Sequence, residues 1–91
     1  MPTTQFAIPW LKEEDWPRWR LIDPELPPYD RWLAKVNRFV AEAQKKSIVA
    51  EKISVDPDVY ADWCKGKGKP INRNTRAEYA AAQLMSRTGI H

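Results

Sequence analysis

One cysteine, one histidine and no long apolar run are the first marks of this 91-residue sequence. Cys64 alone cannot close an internal disulfide, which points to a reducing compartment. No stretch approaches the roughly 18 consecutive apolar residues that a membrane helix needs. The opening M-P-T-T-Q lacks a basic segment leading into an apolar core, so no secretory signal is read. The expectation is a soluble, cytoplasmic protein with no membrane partner.

The same scarcities bear on catalysis. The sole histidine is His91, the last residue, so a Cys–His or Ser–His pair would hang on a chain end. Cys64 follows Trp63 on the apolar side of a predicted helix, near the end whose dipole raises a thiol pKa, and reads as packing. Asp56, Asp58 and Asp62 form the densest carboxylate group, yet capping accounts for Asp56 and Asp58, and no acid–base partner stands near them. Neither C-x-x-C nor H-E-x-x-H occurs. No enzyme activity, metal or cofactor is expected.

Acidic residues are also scarce where the basic ones gather. Residues 65–91 hold six Lys/Arg against Glu78 alone, a net of +5, while residues 1–64 carry a net of −2; together these give the chain's +3. Such polarity suits an acidic partner or a phosphate backbone. The candidate binding residues are Lys65, Lys67, Lys69, Arg73 and Arg76, on a glycine loop and the helix start that follows it. The loop is not a phosphate-binding P-loop, because a helix precedes it and Pro70 follows Lys69. The connection is too long for a helix-turn-helix.

What is present makes one small α+β domain. Six of the eight prolines lie before Tyr29, and residues 1–15 read as an extended arm leading to a globular domain over 16–91. Residues 18–22, R-W-R-L-I, alternate in the manner of a short strand, with Pro17 at its start. Trp32, Leu33, Val36, Val40 and Ala43 recur at helical spacing and predict the longest helix, about 29–46. Val49, Ile53 and Val55 share one parity of a second strand over 48–55. Paired around the long helix, the two strands would form a parallel, right-handed β-α-β unit. Two strands make a marginal sheet, so either the arm adds a third or an edge stays open for self-association.

Asp56-Pro57-Asp58 marks the start of a shorter helix, about 57–65, that Gly66 is expected to close. A last helix over about 73–88 opens with Thr75-x-x-Glu78 as a capping box, or with Asn72 or Asn74 as the cap, and ends at Gly89. The predicted core is Trp19, Leu21, Trp32, Leu33, Val36, Val40, Val49, Ile53, Val55, Val59, Trp63 and Leu84.

Residues 56–84 combine an acidic-Pro helix start, D-P-x-x-x-x-x-W-C, with a glycine loop and R-x-x-Y-A. This pattern, with P-P-Y-D-R-W-L-A-K upstream, resembles small uncharacterised bacterial and prophage-type proteins over about two-thirds of the chain. The resemblance implies a small accessory protein of a mobile element and brings no activity or functional residue with it. The functional expectation is a non-enzymatic protein that binds another protein with an acidic surface through its basic last third, with Trp10 or Trp16 as a further contact. The alternative is phosphate contact with nucleic acid through residues 65–76.

Overall fold

The computed structural model describes residues 5–87, apart from the side chain of Arg87. The expectations placed on Gly89 and His91 lie outside the described residues. Over these described residues the chain folds as an α+β domain of two strands and four helices. These are β1 (Gln5–Trp10), α1 (Trp16–Ile22), α2 (Tyr29–Lys45), β2 (Val49–Ser54), α3 (Pro57–Lys67) and α4 (Arg73–Arg87), with a 3-10 turn at Glu13–Asp15 before α1.

The parallel β-α-β unit is present, but its first strand is the N-terminal segment. Gln5–Trp10 pairs with β2 in parallel, Gln5 opposite Val49 and Trp10 opposite Ser54. The predicted strand at 18–22 is instead the helix α1. Its buried residues, Trp16 and Trp19, fall three apart, and Pro17 occupies the first turn, where a missing N–H costs nothing. Leu21, expected in the core, consequently points to solvent at 81% exposure. Val49 and Val59 are exposed as well.

Side-chain alternation along β1 divides the molecule into layers. Phe6 and Trp10 turn to α2, where Phe6 meets Phe39 at 5.3 Å and Trp10 meets Trp32 at 5.6 Å between ring centroids. Ala7 turns the other way and packs with Ile53, Ala80 and Leu84, so α4 covers that face. The small side chains of Ala7 and Ala80 let α4 lie close to the sheet. At the carboxyl end of β1 the main core gathers Leu11, Trp16, Trp19, Val55, Tyr60 and Tyr79, among others. Edge and tilted ring contacts link it: Trp16–Trp32 at 5.4 Å, Trp19–Tyr60 at 5.5 Å and Tyr60–Tyr79 at 5.8 Å.

The helix ends show their causes. Asp56 accepts from the backbone N–H of Asp58 and Val59 at 2.9 and 3.1 Å and so starts α3. Gly66 does not close that helix; Gly68 does, with φ of 65°. Lys69 N–H donates to Cys64 C=O and Gly68 N–H to Lys65 C=O, the paired bonds of a Schellman motif. At α4, Asn72 is the cap: its side chain accepts from Thr75 N–H while Thr75 Oγ1 accepts from Asn72 N–H, both at 3.0 Å.

Candidate functional site

A groove runs along the outer edge of β1. In a parallel pair, alternate residues turn both backbone groups toward the neighbouring strand. Trp10 C=O accepts from Val55 N–H at 3.2 Å, which sets the phase: Phe6, Ile8 and Trp10 face β2, while Gln5, Ala7 and Pro9 turn their backbone outward. Pro9 therefore sits where its missing N–H breaks no ladder bond. No backbone bond from Ala7 to a turn or loop is formed among the described residues.

The space beside this edge is a cavity of about 480 Å³. Four consecutive residues, Phe6 to Pro9, line it, as only an edge allows, since one face of a strand would offer every second residue. Trp32, Val36 and Phe39 of α2 form one wall; Arg73, Arg76 and Ala77 of α4 form the other. The α1–α2 connector closes the end with Leu26 and Pro27. A second cavity of about 450 Å³ shares Phe6, Ala7 and Ala77 with the first and continues past Ala81 to Met85. The first cavity takes in β1 as far as Pro9 and the start of α4 at Arg73, the second Gln5 and the later turns of α4 to Met85, so α4 runs opposite to β1. Its amino end meets the strand's carboxyl end, where open α/β sheets hold ligands.

The five basic residues singled out in the sequence part company here. Arg76 is buried, its Nη1 2.5 Å from Asp23 Oδ2, and lines the groove from within an ion pair. Arg73 is exposed and stands on the groove's rim with Lys35. Lys69 is paired with Glu78. Lys67 and Lys69, on either side of Gly68 in the sequence, place their ammonium groups 5.6 and 5.7 Å from the centre of the Trp63 ring. Lys65 is exposed near the carboxyl end of α3. Arg73 and Arg76 thus belong to the groove, Lys67 and Lys69 gather at Trp63, and Lys65 is in neither group.

The groove residues Phe6, Ile8, Trp32, Val36 and Phe39 were not singled out as a site in the sequence. The available signal was Pro9 between apolar neighbours, the mark of an edge strand.

Titratable groups elsewhere serve packing. Burial pushes the Tyr60 phenol above its ordinary range, opposed by the Thr75 hydroxyl, and burial followed by the Asp56 charge raises Tyr79. Both stay neutral near pH 7. Cys64 is a buried free thiol. Asp58 meets Arg18 at 2.5 Å on the surface. Among the described residues no three His, Cys, Asp or Glu side chains converge to hold a metal, and no helix is long and apolar enough to cross a membrane.

No protein-family model, no curated protein and no solved structure matches the chain.

Proposed function

We propose that the chain is a non-enzymatic accessory protein that binds another protein in the cytoplasm, and that the groove between α2 and α4 is its principal contact. The observation that carries this reading is an unpaired strand edge between apolar walls, with Arg73 and Lys35 on its rim. Contacts to proteins gain from concave apolar surface and take orientation from a few charges. The cationic rim favours an acidic partner. Lys65 and Lys67 extend the positive surface beyond the groove.

Selection of a displayed library of random twelve-residue peptides against the immobilised chain tests this reading. Peptides enriched on the native chain and lost on Ala77→Trp, which fills the groove, support it. Absence of enrichment, or enrichment indifferent to Ala77→Trp, contradicts it.

A second reading, phosphate contact with nucleic acid, is favoured by the Lys67–Trp63–Lys69 cluster and the left-handed turn at Gly68. With Lys69 and Arg76 already paired to carboxylates, Lys65, Lys67 and Arg73 remain. Binding through these three would follow salt on log–log axes with a slope of about −3. Fluorescence anisotropy with single- and double-stranded DNA and RNA decides: flat titrations at low salt remove this reading.

A further inference from the structure

We infer that the groove is a socket for the extended carboxyl-terminal segment of a partner protein, which adds as a third strand parallel to β1 with its terminal carboxylate at Arg73. This rests on the protein-binding reading and specifies its partner.

Three observations lead here. The first is the edge itself. Ala7 turns its N–H and C=O into the groove, and an extended chain supplies the complementary groups, the mode by which sheets capture peptides. A two-stranded parallel sheet is the least that this architecture tolerates, so a third strand adds to its order.

The second is width. β1 lies between α2 and α4, and both helices flank its open edge, with Phe39 and Val36 on one side and Ala77 and Ala81 on the other. The space of about 480 Å³ between the two walls is where a single bare strand would add. A second copy of this chain would bring its own β1 flanked by the same two helices, which would meet the walls first. An added strand sends alternate side chains to the two layers. Medium aliphatic groups suit the aromatic wall, and the alanines of α4 leave room on the other.

The third is the distribution of charge. The charged residues lining the main cavity are Asp23, Glu25, Lys35, Arg73 and Arg76. Asp23 and Arg76 neutralise one another. Of the others, Lys35 and Arg73 outnumber Glu25, and the remaining balance is positive. Arg73 opens α4, whose dipole adds to the positive field at that point. Arg76 spends one side-chain hydrogen bond on Asp23 among the described residues, out of the five N–H groups that a guanidinium carries. Arg73 and Arg76 line the main cavity together with Pro9, next to the carboxyl end of β1, whereas Gln5 lines the second cavity with Ala81 and Met85. Pro9 has no N–H to offer, so the new ladder also stops there. A strand with an anionic end at that position runs parallel to β1 and finishes in a carboxylate.

The test is an NMR titration of the ¹⁵N-labelled chain with an acetylated six-residue peptide of alternating valine and alanine. Four forms of the peptide are used: free carboxylate, carboxamide, and two bearing N-methyl groups on one or the other parity of amides. The inference expects the Ala7 amide to shift with the free acid. Carboxamide capping, or Arg73→Gln, should weaken binding about tenfold, the factor carried by one charge-assisted hydrogen bond. N-methylation should abolish binding on one parity and spare it on the other. Binding indifferent to N-methylation or to the carboxylate overturns the inference and leaves the protein-binding reading standing. So does a silent titration alongside peptides enriched by display. If display also yields nothing, both fall. Sedimentation showing a dimer whose Ala7 amide is buried assigns the groove to a second copy and overturns the inference.

Discussion

Arg76 Nη1 and Asp23 Oδ2 lie 2.5 Å apart across 53 residues of chain, with both side chains about nine-tenths buried. The bond ties the first turn of α4 to the connector between α1 and α2, and so sets the end of the groove. Removing one partner leaves a buried charge without its mate, which costs about 3–5 kcal/mol. Asp23→Ala should therefore lower the urea midpoint sharply, while Asp23→Leu combined with Arg76→Met should recover most of the loss. Equal destabilisation by the single and double changes would mean that the pair is not coupled.

Gly66 and Gly68 should respond to alanine with opposite signs. Gly66 lies inside α3, where an added Cβ meets nothing within 4 Å, so Gly66→Ala gains about 0.5–1 kcal/mol. Gly68 holds φ of 65°, and Gly68→Ala loses about 1 kcal/mol to the left-handed conformation. Denaturant unfolding of the two variants reads both.

Ser47 performs the same closing role for α2 without glycine's freedom. It sits at φ of 59°, with its N–H bonded to Gln44 C=O and the next N–H, from Ile48, bonded to Ala43 C=O. Ser47→Gly should raise stability by about 0.5–1 kcal/mol, read as a higher melting temperature. A lower one would show that the serine side chain matters more than its backbone strain.

Alkaline pH should weaken the fold through Tyr60 and Tyr79. Burial raises both phenols, so the folded state holds these protons more tightly than the unfolded chain, whose tyrosines titrate near about 10. Their contribution is full below that value and is lost as pH climbs through the higher folded values. The Tyr60 hydroxyl also lies 2.6 Å from Thr75 Oγ1 and 3.2 Å from Asn72 C=O. Tyr60→Phe should cost about 1–2 kcal/mol at neutral pH and flatten the alkaline decline. Urea titrations from pH 7 to 11 measure both effects.

Local chemistry made part of this fold legible. Asp56 and Pro57 start α3 as their residue types require, and the apolar spacing from Trp32 to Ala43 gives α2. Residues 16–22 show the limit of local reading. Trp16 and Trp19 mark a helix by their separation of three, but R-W-R-L-I taken alone alternates like a strand, and seven residues hold too few periods to decide. Gly66 and Gly68 are chemically equal, and only the position of the last helical turn chooses between them.

The basic cluster shows a second limit. Composition counts Lys69 and Arg76 as free cations, yet tertiary contacts give them Glu78 and Asp23. The groove could not be read along the chain, because it exists through two helices meeting beside a strand that has no outer neighbour among the described residues.

Amide hydrogen exchange on the free chain tests the central claim most directly. Ile8 and Trp10 turn toward β2 and should exchange slowly, whereas Ala7, next to Ile8 in the same strand, should exchange fast. Slow exchange at Ala7 matching that at Ile8 would mean that the outer edge of β1 is already paired, and would contradict an open site.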